Sequence, residues 1–246
     1  IASVQDQLAE GNEGFGITLT NPTGGAVLGT SSAQGTIIDD DVASFLITDA
    51  SANEGSGITF TVTRTLNAPG VNQTVEFGTA LLPGSGDTAQ AGDFTATTGT
   101  LTFSPGQLSQ TVVIPTTTDS LFELNDRFTI TLANATNGAT IGSGTAHGTI
   151  VNDDPAPAFT IAASGPASVT EGGGMVFTIT RNLDSEPAQT VQFGTVAGTA
   201  VAGQDFTGSS GTLTFAQGTL TQTITVATTN DTLLDSSPTE NFTITL

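Results

Sequence analysis

The residues of this chain that could do chemistry are its acidic side chains, which recur in a fixed pattern. The motif D-x-x-x-E occupies residues 6–10 and returns at 119–123, which is 113 residues later. An acidic run at 39–41 returns at 152–154 with the same offset. Carboxylate oxygens are the ligands that Ca²⁺ prefers, and this ion takes about 6–8 oxygens in a flexible geometry. The recurring acids therefore predict binding of a hard divalent cation.

A third copy of the pattern shows which other acids belong to it. Glu54 recurs as Glu171, and Asp93 recurs as Asp205 shortly before a shared G-T-L-T-F segment. The spaced acid pair returns as D-x-x-x-D at 231–235. Long segments repeated in register indicate tandem domains, each of which builds the same structure.

The repeats divide the chain into one complete domain and two partial ones. Residues 1–41 correspond to the C-terminal part of a repeat, 42–154 to a complete repeat, and 155–246 to a repeat that lacks its last strand. We expect, from this alignment, that the sequence begins and stops inside a domain and is an excerpt of a longer array.

The composition restricts the kind of partner that the chain can bind. Three Lys or Arg residues against 23 acids give a net charge of −20. This charge excludes nucleic acid, which requires clustered basic residues, and disfavours anionic membranes. The sequence has no cysteine, so disulfides and thiolate metal sites are excluded. No run of apolar residues is long enough to span a membrane, and a hydrophobic content of 36% is sufficient for a core in each repeat.

Apolar residues alternate with threonine along most of the chain, which is typical of half-buried β-strands. Seven short strands in the complete repeat, separated by Gly, Pro and Asn turns, predict tandem immunoglobulin-like seven-stranded antiparallel β-sandwiches of the all-β class. The predicted strands are A (44–48), B (58–64), C (73–79), D (99–103), E (109–114), F (127–133) and G (145–151).

The order of these strands predicts where the acids lie. If each connection reverses the chain direction, loops A–B, C–D and E–F lie at one end of the sandwich, and strand G also ends there. The matched acids all occur in these segments, whereas the opposite loops, 65–72, 104–108 and 134–144, contain no acid. Several carboxylates at one end repel one another unless a cation neutralises them, so this placement favours a metal site.

The chemistry of the acids favours Ca²⁺ among the metals. Mg²⁺ requires a tighter octahedron and retains its waters, and transition metals call for His or Cys ligands. The alternative interpretation is that the acids cap turns and keep the surface soluble. Asp49, Asp87 and Glu76 are predicted to be ordinary surface acids of this kind, and Asp126 is left out of the site.

The motifs together resemble the Calx-β domain. They are E-G near the start, A-G-D-F before G-T-L-T-F, D-x-x-x-E before R-F-T-I-T-L, and the closing G-T-I-x-[DN]-D-D, and they cover the whole chain. The resemblance implies an immunoglobulin-like sandwich that binds Ca²⁺ at the end where strand G stops. The ligands that it implies are Glu54, Asp93, Asp119, Glu123, Asp153 and Asp154, with their counterparts Asp6, Glu10, Asp39, Asp40, Asp41, Glu171, Asp205, Asp231 and Asp235.

No enzyme is predicted. The single histidine, His147, lies in predicted strand G, and the absence of Lys and Cys excludes Schiff-base and thiol chemistry. The predicted function is a Ca²⁺-binding structural array of a long extracellular or cell-surface fibre or adhesin, of bacterial type, in which Ca²⁺ stiffens the junctions. Its partners would be calcium ions and neighbouring repeats or further copies in a fibre. The alternative is a regulatory Ca²⁺ sensor in a larger membrane or signalling protein.

Overall fold

The structure is a computed structural model that describes residues 2–82, 84–166, 168–232 and 239–246, and its regular elements are all β-strands. The predicted all-β fold class is confirmed. None of the described residues form a helix that is long and apolar enough to cross a bilayer. The strands are β1 (Glu13–Thr18), β2 (Ser32–Ile37), β3 (Ser44–Ile47), β4 (Ala50–Asn53), β5 (Ile58–Arg64), β6 (Gln73–Ala80), β7 (Thr98–Phe103), β8 (Ser109–Ile114), β9 (Asp126–Ala133), β10 (Thr140–Ser143), β11 (Thr145–Val151), β12 (Phe159–Ala163), β13 (Gly174–Arg181), β14 (Gln189–Ala197), β15 (Ser210–Phe215), β16 (Thr221–Ala227) and β17 (Phe242–Thr245).

The chain divides into two compact units, 1–118 with 125–151 and 119–124 with 152–246. In the first unit, β1 and β2 form an antiparallel pair, and β3 to β11 form two sheets. One sheet has the order β10-β3-β5-β8 and the other has the order β4-β11-β9-β6-β7. Apolar residues from both sheets share one buried core, as expected for a sandwich.

Strand β5 shows how the sequence pattern produces this core. Its side chains alternate strictly between buried and exposed, and the apolar residues Ile58, Phe60 and Val62 are fully buried. The intervening threonines face solvent, where their β-branched side chains suit the extended backbone. Full burial of each apolar side chain stabilises the fold by about 1.5–3 kcal/mol. The alternation predicted for this strand is therefore present in the structure.

The predicted strand A (44–48) corresponds to β3, and a further strand that was not predicted, β4, follows it in the other sheet. Strand β3 pairs antiparallel with β5, whereas β4 pairs parallel with β11. Asp49 lies between them and accepts a hydrogen bond from the backbone N–H of His147 at 2.8 Å. A short additional strand, β10, pairs parallel with β3. The crossing from one sheet to the other brings the end of β4 beside the end of β11.

Aromatic stacking attaches the C–D loop to the core of the first unit. The Phe94 ring stacks on the Phe128 ring at a centroid distance of 4.2 Å, and Phe60 meets Phe128 edge-on at 6.1 Å. All three rings are buried. Because Asp93 directly precedes Phe94, this stack also restricts the backbone that carries one of the predicted ligands.

The second unit repeats this arrangement. Strands β12, β13 and β16 form one sheet, and β15, β14 and β17 form another. Ile179, Phe215 and Ile224 are at the centre of its core. Phe206 stacks on Phe242 at 4.5 Å, which reproduces the stack of the first unit at the corresponding positions.

A glycine lies directly opposite a phenylalanine on several pairs of neighbouring strands. Gly148 is the cross-strand partner of Phe128, and the ring covers the glycine. The same pairing joins Phe15 to Gly35, Phe77 to Gly99, and Phe193 to Gly211. An aromatic ring that covers a glycine supplies the packing that the glycine lacks.

The substitution Gly148→Ala tests this packing. The added Cβ would overlap the Phe128 ring and lie 2.9 Å from Cζ of Phe60. Overpacking of a core costs about 1–3 kcal/mol, so the free energy of unfolding should fall by that amount. In the control Gly78→Ala, the new Cβ would meet Cγ2 of Thr98 at 3.5 Å, an ordinary contact. Calorimetric melting of both variants measures the difference, and equal stabilities would contradict the role of the covered glycine.

The prediction that Asp87 is an ordinary surface acid is wrong. Its side chain is only 3% exposed, and it accepts hydrogen bonds from the Thr129 hydroxyl at 2.8 and 3.0 Å and from the Leu82 backbone N–H at 2.9 Å. Arg127 and His147 lie 3.9 and 3.8 Å from its Oδ1. Burial acts to raise the pKa of Asp87, but these hydrogen bonds and His147 hold the pKa below its usual value. Asp87 therefore ties the loop after β6 to strands β9 and β11.

Candidate metal centre

The acids of the first partial repeat are held together by hydrogen bonds around Asp39. Its Oδ2 accepts the backbone N–H of Glu10 at 3.0 Å, and its backbone N–H donates to Oδ1 of Asn12 at 3.2 Å. Asp6 closes its own turn, because its Oδ1 accepts the N–H of Leu8 at 2.9 Å. The loop 6–10 is thereby joined to the acidic run after β2.

Two acids of this group have raised pKa values. Desolvation and then the charges of Asp6, Glu13 and Asp39 raise the pKa of Glu10. Desolvation and then the charges of Asp40, Asp39 and Asp6 raise the pKa of Asp41. Repulsion of this kind favours any cation that can bind among the acids.

The complete repeat makes the same backbone contacts at the corresponding positions. Asp119 Oδ1 accepts the N–H of Leu121 at 2.7 Å, and the N–H of Glu123 donates to Oδ1 of Asn152 at 3.2 Å. Asn152 occupies the position of Asp39 and accepts the same hydrogen bond through its amide oxygen. The change from Asp to Asn at this position therefore preserves the contact that joins the loop to the segment after β11.

Two loops of the first unit carry the remaining predicted ligands of the complete repeat. The N–H of Glu54 donates to the carbonyl of Val151 at 3.1 Å, so the end of β4 places Glu54 beside the end of β11. The carbonyl of Asp93 accepts a hydrogen bond from the N–H of Thr117 at 2.8 Å. The carbonyl of Thr117 accepts one from the N–H of Gly55 at 2.9 Å. Short backbone contacts thus connect the A–B, C–D and E–F loops.

Three of the predicted ligands come together. Glu54, Asp119 and Asp154 each offer one carboxylate oxygen, and these oxygens lie within 4.8 Å of one another. Glu54 is buried, at 8% exposure. Oδ2 of Asp154 is buried and has no hydrogen-bond partner in the described part of the chain. A buried carboxylate oxygen without a partner is costly, and a hard cation bound by oxygens would remove that cost.

The other predicted ligands of this repeat lie outside that group of three. Asp93 closes its own turn through the N–H of Gln90, Glu123 is held through its backbone, and Asp153 is exposed. Asp126, which the sequence analysis left out, is buried at the start of β9. Burial and then the charge of Asp93 raise its pKa, against a hydrogen bond from Thr88. Acids at the matching positions, Glu13 and Glu240, are the signal that could have included it.

The predicted ligands of the third repeat are described only in part. Asp205 Oδ2 accepts the N–H of Val201 at 2.7 Å, and its carbonyl accepts the N–H of Thr229 at 2.9 Å, as Asp93 does with Thr117. Glu171 and Asp231 are exposed. Asp235 lies outside the described residues.

Comparison with known proteins identifies the family of the chain. The family model of the Calx-beta domain matches residues 1–49, 40–155 and 156–246. The chain belongs to the Calx-beta domain family. A curated relative of this Calx-beta chain is adhesion G-protein coupled receptor V1 of Danio rerio, which is 28% identical over 220 residues. The match covers 80% of the chain but only 4% of that receptor, so the chain spans a small fraction of its relative.

Matches among solved structures include two of Calx domains. The apo form of the Calx CBD1 domain is 23% identical, with a TM-score of 0.41, and the match covers 46% of this chain and 100% of that one. The calcium binding domain CBD12 of CALX1.1 is 23% identical, with a TM-score of 0.40, and the match covers 74% of each chain. The name of the second structure describes calcium binding in that protein.

Proposed function

We propose that this Calx-beta chain is a Ca²⁺-binding structural array of a long extracellular or cell-surface protein, of fibre or adhesin type. Its role is to bind calcium and hold neighbouring repeats in place, without catalysis. The ligands are drawn from the acids at the end of each repeat where its last strand stops. In the complete repeat they are Glu54, Asp93, Asp119, Glu123, Asp153 and Asp154.

One observation carries this proposal. Glu54, Asp119 and Asp154 direct carboxylate oxygens to within 4.8 Å of one another, and an oxygen of Asp154 is buried without a hydrogen-bond partner among the described residues. Carboxylate oxygens alone suit Ca²⁺, whereas zinc and other transition metals favour nitrogen or sulfur ligands. The donor set therefore fits calcium, which would supply the positive charge that offsets the repulsion among the acids.

Short linkers support a structural role for the ion. Only Val42 and Ala43 separate the first acidic run from β3, and residues 155–157 read Pro-Ala-Pro after the second. Proline fixes φ and stiffens a linker. Because the acids directly precede these linkers, an ion bound by the acids restrains the chain at the boundary between two repeats.

The matched relative supports a cell-surface location. That relative is an adhesion receptor, and its matched segment is a small part of a very long protein. We propose that the present chain is likewise part of a long surface protein, in which domains 1–41, 42–154 and 155–246 are successive repeats.

Calorimetric titration of the full chain with Ca²⁺, after treatment with EDTA, tests the proposal. Asp119→Asn removes one negative charge but keeps the oxygen that caps the turn at Leu121, so the loop should retain its shape. Fewer charged ligands weaken Ca²⁺ binding, and we expect the affinity at this site to fall about tenfold or more, equivalent to about 1.4 kcal/mol or more.

The matched control is Glu76→Gln. It removes the same charge from the face of β6, where Glu76 accepts a hydrogen bond from Asn134 at 2.7 Å. We expect this variant to bind Ca²⁺ like the parent chain. Equal losses of affinity in both variants would show that net charge, and not the proposed site, governs binding, and absence of any binding heat in the parent would reject the calcium function.

A further inference from the structure

Strand β8 of the complete repeat lies at the edge of its sheet. The sheet order is β10-β3-β5-β8, and β8 pairs with β5 in an unbroken register but has no neighbouring strand on its other side in the described part of the chain. Its six residues read S-Q-T-V-V-I and include no charge, no proline and no glycine. Proteins commonly protect an edge with charged residues, proline or a bulge, because its unpaired backbone groups can pair with another strand. Strand β8 is therefore an unprotected edge.

The register of β8 shows which backbone groups lie along this free edge. The N–H of Arg64 donates to the carbonyl of Leu108 at 2.8 Å, so these two residues form a hydrogen-bonded pair. Hydrogen-bonded and non-hydrogen-bonded pairs alternate along an antiparallel ladder. Thr111 and Val113 fall in non-hydrogen-bonded pairs with β5, so their backbone N–H and C=O groups point away from it. Among the described residues, these groups make no backbone hydrogen bond on that side.

Other edges of the same sandwich are short or covered. The side-chain amide of Gln110 donates to the carbonyl of Thr102 and covers the edge of β7. Strand β10 has four residues and a register shift against β3. Strand β4 also has four residues, and the acids Asp49 and Glu54 flank it directly. Short strands, bulges and charges hinder the pairing of an edge with another chain, so the edge of β8 differs from these three.

The corresponding strand of the third repeat, β16, has the same open edge. It ends the sheet β12-β13-β16, and its seven residues, T-Q-T-I-T-V-A, again include no charge, proline or glycine. The N–H of Arg181 donates to the carbonyl of Leu220 at 2.8 Å, so by the same alternation the backbone groups of Thr223 point away from β13. Gln222 covers the edge of β15 by donating to the carbonyl of Thr214. Both repeats therefore cover one edge and leave the edge of this strand open.

The side chains beside the free edge of β8 carry no charge. Thr59, Thr61 and Thr63 on β5 and Thr111 and Val113 on β8 are all exposed, and Thr61 lies opposite Thr111. The net charge of −20 makes copies of the chain repel one another at long range. An approach along this edge brings hydroxyl and methyl groups together, and charges farther apart than about 8 Å are largely screened at physiological salt. Two copies can therefore meet at this edge without opposing carboxylates.

We propose that the free edges of β8 and β16 are contact surfaces for a second copy of this chain, which joins by antiparallel pairing of one such edge with another. A strand that adds to a sheet edge gains main-chain hydrogen bonds. The partner must itself offer an uncharged, β-branched strand with free backbone groups, and β8 and β16 of another copy meet that description. This inference goes beyond the proposed calcium function and does not depend on it, because none of the proposed ligands lies on either strand.

Sedimentation velocity of the full chain over a range of concentrations tests the association. The chain has no Trp or Tyr, so interference optics should record the boundary. Thr111→Pro combined with Thr223→Pro deletes two outward N–H groups and leaves the pairing with β5 and β13 in place, since proline is tolerated where the N–H of an edge strand faces solvent. Thr111→Ala combined with Thr223→Ala is the matched control that keeps both groups. We expect the parent and the alanine variant to self-associate, and the dissociation constant of the proline variant to be about tenfold higher or more.

A second pair of variants decides the question if the proline variant does not fold. Thr111→Lys with Thr223→Lys places like charges at the edge, whereas Thr61→Lys with Thr178→Lys places the same charges on the directly opposite residues of β5 and β13. We expect the edge variant to stay monomeric and the other to associate like the parent, because its charges lie one strand farther from the contact. A parent chain that is monomeric at every concentration would overturn the proposal. Equal association of the proline and alanine variants, or of the two lysine variants, would overturn it as well.

Discussion

Calcium in large excess is expected to raise the melting temperature of the chain, and EDTA is expected to lower it. An ion that binds only the folded state stabilises it by about 2.7 kcal/mol at a concentration one hundred times its dissociation constant. In the complete repeat, this gain includes relief of the buried Asp154 oxygen and of the repulsion between Glu54 and Asp119. Differential scanning calorimetry in Ca²⁺ and in EDTA measures the shift.

Two comparisons make this measurement specific. Mg²⁺ at the same concentration should stabilise the chain less, because it requires a stricter octahedral geometry and retains its waters. The Asp119→Asn variant should show a smaller calcium-dependent shift than Glu76→Gln. A melting temperature that is the same in EDTA and in millimolar Ca²⁺ would be incompatible with the proposed metal site.

Phe128→Ala is expected to produce the largest loss of stability of any change considered for this chain. Removal of a fully buried phenylalanine typically costs about 3–5 kcal/mol, because the transfer free energy is lost and a cavity remains. Phe128 is fully buried and contacts both Phe94 and Phe60 through its ring. The loss of the stack should also loosen the loop that carries Asp93, so Ca²⁺ affinity should fall with stability.

The corresponding change Phe15→Ala is the control. Phe15 holds the same position in the first partial repeat and also covers a glycine, Gly35, but it is only partly buried. We expect Phe15→Ala to lower the free energy of unfolding much less than Phe128→Ala does. Because the chain has no Trp or Tyr, unfolding in urea should be followed by far-UV circular dichroism. Equal costs for the two variants would contradict the argument from burial.

Local alternation of apolar and polar residues was sufficient to predict the central strands. Strand β5 has the predicted bounds and the predicted buried face, because its pattern is set by residues next to one another. Strand β4 could not be predicted in the same way. It exists because it pairs with β11, which lies about one hundred residues away along the chain.

The candidate site shows the same limit. The offset of 113 residues predicted which acids are matched, and the structure places Glu54, Asp119 and Asp154 together. The sequence offset did not predict that the Asp87 side chain is buried, because that burial depends on contacts with Thr129 and Leu82. Which acids complete the coordination of the ion stays a prediction.

The parallel pairing of β4 with β11 has a mechanical consequence. Strand β4 lies near the start of the complete repeat and β11 at its end, and their register runs from Ala50 beside Gly148 to Asn53 beside Val151. A force that stretches the repeat between its two ends would pull these strands past each other along their length. Hydrogen bonds in a parallel pair are evenly spaced, so they would bear the load together and not open one by one. The repeat should therefore resist tension by shear of this pair.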